Sequence, residues 1–441
     1  MIQLSDHFTC GRLLRFTFPS IVMLIFTSIY GVVDGFFVSN FVGKTPFAAV
    51  NLIMPYLMIL GCVGFMFGTG GSALISKTMG EGQDEKAKEI FSLLIYASAA
   101  CGVVLAVLGI LFLRPAASLM GAEGQLLEDC VVYGVINLLA LPFYILQFEF
   151  QCLFATAEKP KLGLFVTVAA GVTNMGLDAL FVGLFRWGLV GAAAATAMSQ
   201  LVGGAAPLAY FGRRNTSRLR LVRCGFDGKA LRRVCTNGSS ELMSNISMSL
   251  VSMLFNVRLM QYAGEDGIAA YGVLMYVSLV FQAVFLGYSV GAAPVIGYHH
   301  GAENYQEGRG LLRRSLGIIG VFSLLMFAAG QTLARPLSLL FVGYDPELLR
   351  ITVRAFAIFS FSFLFSGAAI FGSSFFTALG DGLTSALISF LRTLVFQCLA
   401  VTLLPMIWEL DGVWASTVAS DALAAAVTVL FLAGKRKRYH Y

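Results

Sequence analysis

The chain has 441 residues, of which 58% are hydrophobic and 12% charged, with a formal net charge of +6. Soluble domains carry about 25% charged residues, so a water-facing surface for a body of this size is excluded. A mean hydropathy of +0.80 and the lack of any long polar segment leave an all-α integral membrane protein, because helices satisfy their own backbone polar groups in lipid.

Met1 to Arg12 is short and partly polar, and apolar sequence begins at Leu13. No short apolar stretch followed by a small-residue cleavage site is present, so the first span is expected to act as its own insertion signal. A bilayer core of about 30 Å needs about 20 mostly apolar residues per helix. On that basis, spans fall near 13–38, 47–72, 90–112, 130–153, 162–184 and 188–211. After a polar break come 236–258, 268–296, 315–333, 351–377, 384–407 and 412–433. The division is an N-lobe over 1–211, a basic linker over 212–235, and a C-lobe over 236–441 with a basic tail.

The basic residues set the orientation. With both termini cytoplasmic, the inner segments hold Arg12, Arg15, Lys77, Lys86, Lys88, Lys159, Lys161, a run from Arg213 to Arg233, Arg309, Arg313, Arg314, and the tail Lys435 to Arg438. The outer segments hold only Lys44, Arg114, Arg186, Arg258, Arg335, Arg350 and Arg354, while Arg392 lies within a span. The positive charge therefore reads as a topology determinant, and no nucleic-acid partner is expected. Eight scattered cysteines show no metal-ligand spacing and read as buried small hydrophobes.

The chain repeats at an offset of half its length. Phe47-Ala48-Ala49-Val50 faces Ile268-Ala269-Ala270-Tyr271, Gly70 faces Gly291, and Gly80-Glu81-Gly82 faces Gly301-Ala302-Glu303. Later, Gly191 to Thr196 faces Gly412 to Thr417 in the same register. An offset of six helices keeps both halves in one orientation, as in parallel transporter repeats. The expected architecture is two pseudo-symmetric six-helix bundles, an arrangement suited to alternating access.

An ionisable residue at a helix centre costs about 2.5–3.5 kcal/mol on insertion scales, so each needs a reason. In chain order, Asp34, Asp178, Glu241 and Asp421 stand out. Counting rise per residue, Asp34, Asn174, Asp178 and Thr196 reach similar depth in the outer half of the N-lobe. Two carboxylates, an amide and a hydroxyl suit a small hard cation, or two acids sharing a proton. The competing reading is that Asp34 and Asp178 cap or cross-link helices, or meet water at the interface. The repeat counterparts of Asp34, Asn174 and Asp178 are Phe255, Val395 and Leu399, all apolar, which confines the set to one lobe. Glu241 and Asp421, whose counterparts are Ser20 and Gln200, read either as cavity acids that attract a cationic substrate or as helix contacts. Gln200 joins them as a cavity candidate. Gln147, Glu149 and Gln151 read as interfacial, and His299 and His300 as surface residues.

Several segments resemble the MATE (multidrug and toxic compound extrusion) transporters. These are Gly31 to Val38 around Asp34, Gly68 to Gly82, Asn174-Met175-Gly176-Leu177-Asp178, Gly188 to Thr196, and Leu404-Pro405 with Asp411-Gly412-Val413-Trp414. The resemblance covers nearly the whole chain. It implies a V-shaped pair of bundles driven by a Na⁺ or H⁺ gradient and exporting small organic, often cationic, compounds. Carried over residue by residue, it implies a coupling site at Asp34, Asn174, Asp178 and Thr196, which is the sodium site if Na⁺ is the ion. Some relatives carry an acid in the tenth span, but 355–377 here has none. Glu241 to Asn245 is more similar to the bacterial drug-export branch. That branch implies a multi-pass protein of a bacterial cell membrane, with no cofactor besides the coupling ion, acting as a monomer.

A lipid-linked or glycan flippase of the same superfamily is the alternative, and it calls for a basic cavity. A channel calls for a continuous polar lining, and an enzyme for a clustered catalytic or metal motif. These spans offer neither, and no enzymatic activity is expected.

Overall fold

A computed structural model describes residues 2–343 and 345–441. No strand occurs among them. Twelve helical spans follow one another. In the first half they are α1 (Cys10–Phe37), α2 (Thr45–Gly80), α3 (Asp84–Leu119), α4 (Gly124–Leu139 and Leu141–Thr156), α5 (Pro160–Leu184) and α6 (Gly188–Gly212). In the second half they are α7 (Gly228–Gly264), α8 (Asp266–Gly301), α9 (Tyr305–Leu339), α10 (Pro346–Ala378), α11 (Gly382–Leu403) and α12 (Pro405–Tyr439). All are long and apolar enough to cross a bilayer, provided the two pieces of α4 count as one span. The chain is a multi-pass membrane protein.

The span near 130–153 is not the single straight helix expected. Its two pieces meet at 58° around Ala140. Pro142, at the start of the second piece, has no N–H for the preceding turn, and the chain bends there. The bend carries Leu141–Thr156 inward, so that Glu149, Gln147 and Gln151 are buried rather than interfacial. Glu149 accepts a hydrogen bond from Ser98 Oγ on α3. His299 is likewise buried, against the reading of a surface residue.

Helix α7 begins at Gly228, inside the segment read as linker, because the Asp227 carboxylate caps it by accepting from the Lys229 and Ala230 N–H groups at 3.0 and 3.1 Å. Between Gly212 and Asp227 the linker packs on the N-lobe. The Leu221 N–H donates to the Phe211 carbonyl at 2.9 Å, and the Val222 N–H donates to Ser92 Oγ at 2.8 Å.

The two lobes touch through glycines, and the repeat is visible in how they do so. A Cβ at Gly80 would lie 2.0 Å from the Tyr298 carbonyl oxygen, and one at Gly301 would lie 2.1 Å from that of Lys77. These two glycines are repeat mates, so α2 and α8 cross on the pseudo-two-fold axis. Likewise Gly70 sits against Val234 and Gly238 of α7, while its mate Gly291 sits against Thr17 of α1, itself the mate of Gly238. Without a hydrophobic driving force in lipid, backbones approach closely only across small residues. All these crossings lie in the half of the bundle nearest the basic linker and tail, here termed the basic end, where one apolar core joins both lobes, while toward the other end each lobe has a separate core of its own.

At the basic end the N-terminal segment binds both lobes. The Leu4 N–H donates to Glu158 Oε1 at 2.8 Å, and the Phe8 N–H donates to Glu307 Oε1 at 3.0 Å, with both apolar side chains buried. Arg218 of the linker pairs with Asp84 at 2.8 Å and lies over the Tyr298 ring at 5.9 Å. At the opposite end each lobe closes with its own ion pair, Arg114–Glu128 in one and Arg354–Asp411 in the other.

Candidate functional site

Three helices of the N-lobe bring polar groups into its interior. Asp34 sits near the end of α1 and is 6% exposed. Asn174 and Asp178 lie one turn apart on α5 and are 1% and 0% exposed. Asp178 opens a π-helical stretch, Asp178–Leu184, the kind of local widening that often marks a functional position in a helix. Thr196 of α6 donates to the Ala192 carbonyl at 3.1 Å and reaches Asp34 Oδ1 at 3.5 Å. Asp34 is within interaction range of Asp178, Asn174 and Thr196. All four residues singled out in the sequence therefore lie together.

A fifth member, Tyr133 of α4, was not legible in the sequence. It is fully buried, and Asp34, Asp178 and Thr196 all act on it. No motif marks it; the α4 bend and the packing of α4 on α6 place it there.

This group is short of hydrogen bonds. Both oxygens of Asp178, both polar atoms of Asn174 and the Tyr133 hydroxyl are buried with no partner among the described residues. Buried polar groups are nearly always paired, so such a cluster fits a site that takes something in. Two facing carboxylates need a cation or a proton between them, and the amide, hydroxyl and phenol oxygens complete an oxygen-donor set that suits a small hard cation. The C-lobe has no equivalent. Phe255, the mate of Asp34, stacks on Tyr271 at 5.0 Å in an apolar core, and Leu399, the mate of Asp178, is exposed on the outside.

Glu241 lies elsewhere, on α7, and lines a cavity of about 40 Å³ between the lobes. Thr69, Ser72 and Cys152 close the cavity from the N-lobe, and Ser289, Ser374 and Thr377 close it from the C-lobe. That volume holds little more than a water or two. Asp421 and Gln200, the other two cavity candidates, are not among its lining residues. Asp421 is buried inside the C-lobe, where Arg392 Nε donates to its Oδ1 at 2.8 Å. Gln200 is buried in the N-lobe, and its Oε1 has no partner among the described residues. The pairing of Asp421 was half legible in the sequence, since Arg392 is the one basic residue placed inside a span.

The family model MatE matches residues 19–180 and 242–402. The multidrug export protein MepA of Staphylococcus haemolyticus (strain JCSC1435) is 24% identical over 436 residues, covering 97% of this chain and 94% of its own. MepA of Staphylococcus saprophyticus subsp. saprophyticus is 25% identical over 429 residues, covering 96% and 91%. A solved outward-facing conformation of a multidrug resistance MATE family transporter of the MOP superfamily superposes with a TM-score of 0.93. It is 20% identical and covers 98% of this chain and 97% of that one. With the family model spanning both lobes and the same twelve-helix fold in solved relatives, the chain belongs to the MATE family of transporters.

Proposed function

We propose that the chain is a secondary antiporter that exports organic, cationic or amphipathic, compounds in exchange for Na⁺ or H⁺ by alternating access. The observation that carries this reading is the N-lobe cluster. Beside Asp34, the Asp178 carboxylate, the Asn174 amide and the Tyr133 hydroxyl are buried without partners among the described residues, in a lobe whose repeat mate is apolar at the positions of Asp34, Asn174 and Asp178. The MepA relatives are named for multidrug export, which supports the substrate class.

Lobes that meet at the basic end and keep separate cores toward the other correspond to the conformation open away from the basic segments. By the positive-inside rule that end is cytoplasmic, so both termini face the cytoplasm of a bacterial cell and the V faces outward. In this state Na⁺ or H⁺ enters from outside and occupies the site at Asp34, Asn174, Asp178 and Thr196. Occupancy repacks α1 against α5 and lowers the affinity of the cavity for its organic ligand. Binding at the two sites is thus coupled through the conformations that each prefers. The small cavity around Glu241 is what remains of the inward-open binding space once the basic end has closed. Its lining carries one carboxylate and no basic side chain, which does not fit the pyrophosphate of a lipid-linked flippase substrate. The chain has no need of a partner subunit for this cycle and works as a monomer.

The test is dye efflux from proteoliposomes with a Na⁺ or a proton gradient imposed in turn. Wild type should export under one gradient and not the other, and Asp34→Asn, inserted to the same level, should lose gradient-driven export. Undiminished efflux by Asp34→Asn would overturn the coupling site.

A further inference from the structure

The segment before α1 is a loop tied to the N-lobe at both ends, with a C-lobe acid seated in its middle. One end runs into α1 at Cys10. At the other, the Leu4 N–H donates to Glu158 Oε1, in the turn between α4 and α5. Glu158 holds a left-handed backbone, φ 58°, which is costly for a residue with a Cβ. The sister turn between α10 and α11 uses Gly380 in that region, φ 78°. Within the loop, Asp6 Oδ2 accepts from the Gln3 N–H at 3.1 Å and from Arg12 Nη2 at 2.9 Å, which fixes its shape.

The acid in the middle is Glu307. Asn304 to Glu307 opens α9 with the spacing of a capping box, in which the glutamate returns to the N–H of the cap residue. Asn304 does its part, accepting from the Glu307 N–H at 3.1 Å. The Asn304 N–H, however, donates to the His299 carbonyl at 2.9 Å, and the Glu307 carboxylate turns across the boundary between the lobes. Its Oε1 accepts from the Phe8 N–H and from Arg314 Nη1, both at 3.0 Å, and its Oε2 lies 2.7 Å from His7 Nδ1. The Leu4 and Phe8 side chains are wholly buried in the core that joins the lobes. The repeat mate of Glu307 is Lys86, so the N-lobe has no second acid at this position.

We propose that residues 3–8 are a latch with Glu307 as its catch, and that the basic end opens only when Glu307 leaves the loop. The proposal rests on the alternating-access reading above and adds the device that holds the outward-facing state. Tied to α1 and to Glu158, the loop moves with the N-lobe. A swing of the C-lobe at this end pulls Glu307 away from Phe8 and His7 and breaks charge-assisted bonds, the strong kind. Water replaces them once the lobes part, so the latch slows opening without forbidding it.

Ser76 reports the motion. It is fully buried on α2, between the crossings at Gly70 and Gly80, and lies against Gly297 of α8. A thiol there is shielded while the basic end is shut and meets water once it opens. Ser76→Cys is the reference chain, held in nanodiscs, and its modification by N-ethylmaleimide is followed site by site with mass spectrometry. Adding Glu307→Gln should speed labelling at residue 76 on the order of tenfold, as expected for one hydrogen bond to a charged group. Adding His7→Ala should speed it about threefold, the range of an exposed ion pair. Both together should do no more than Glu307→Gln alone, because they break the same contact. Native Cys130, buried in the separate core of the N-lobe, should label no faster in any variant. Unchanged rates at residue 76 would overturn the latch, and so would rates that rise in step with Cys130, which signal a general loosening. Should Glu307→Gln fail to fold, His7→Ala decides, since that side chain is 63% exposed. Labelling needs neither gradient nor substrate, so a wild type that exports no dye would count against the exporter reading and not against the latch.

Discussion

Ser98 and Glu149 show how a membrane helix carries an acid outside the candidate site. Glu149 is fully buried, one of its oxygens accepts from Ser98 Oγ, and the other has no partner among the described residues. Removing the only donor among the described residues leaves the carboxyl without that bond, at a cost of about 1–3 kcal/mol, whereas removing both partners together is close to neutral. Ser98→Ala should therefore lower the midpoint of thermal unfolding in detergent. Ser98→Ala/Glu149→Leu should recover most of the loss, and a double variant no better than the single one would remove the hydrogen bond from the account. Asp34 and Asp178 are of a different kind. Apart from each other, their neighbours are Asn174, Thr196 and Tyr133, none of them basic, so truncating them should affect coupling more than melting. Arg392 and Asp421 form a third case, with a fixed counter-charge. Four buried acids thus have three different compensations, and hydropathy cannot tell them apart because each is a single polar letter in an apolar run.

At the scale of elements, helix irregularities place the chemistry. The α4 bend turns Glu149 inward and sets Tyr133 beside the N-lobe acids, and π-helical turns carry Asp178 and Arg392. Caps fix where elements begin. Asp381 caps α11 by accepting from the Thr384 N–H at 3.3 Å, and it accepts from Lys435 Nζ of α12 at 2.5 Å, while Lys435 also bonds Thr384. Burial alone would raise the Asp381 carboxyl, but the bonds from Lys435 and Thr384 outweigh it and hold the group below its ordinary value of 3.8. A carboxyl lowered in the folded state stabilises above its unfolded value, and that contribution is lost as pH falls through the folded value. The drop in thermal midpoint between about pH 5 and about pH 3 should therefore be smaller in Asp381→Asn than in wild type. Equal drops would show that the cap and its lysine add nothing to stability.

Across the whole molecule, the closed basic end depends on backbone contact between the lobes. Gly80 and Gly301 leave no space for a side chain, since the obstacle at each is a carbonyl and not a movable group. Gly80→Leu should force α2 and α8 apart, lowering the thermal midpoint by the equivalent of about 1–3 kcal/mol, and should reduce export. Gly434→Ala, where nothing lies within 4 Å, is the matched control and should melt as wild type does. An unshifted Gly80→Leu would mean that the two helices do not bear on each other in the membrane. The N-terminal segment, bonded to Glu158 of one lobe and Glu307 of the other, must release at least one of them before this end can open.

Composition, hydropathy and the half-length repeat were enough to establish twelve spans in two parallel lobes, because burying apolar length in a bilayer is a one-dimensional requirement that a sequence states directly. The register of the repeat also pairs Gly80 with Gly301 and Gly70 with Gly291, but that these glycines make the crossings between the lobes is decided by the fold. The gathering of Asp34, Asn174, Asp178 and Thr196 was readable from depth along each helix, which rise per residue supplies. Rotation about each helix axis is another matter. Which way Glu149 turns, that Tyr133 joins the cluster, and that Asp421 faces Arg392 while Glu241 faces the cavity depend on bends, π-turns and neighbouring helices. Only the tertiary structure decided them, because a side chain's partner in lipid is set by packing between helices that the chain separates by dozens of residues.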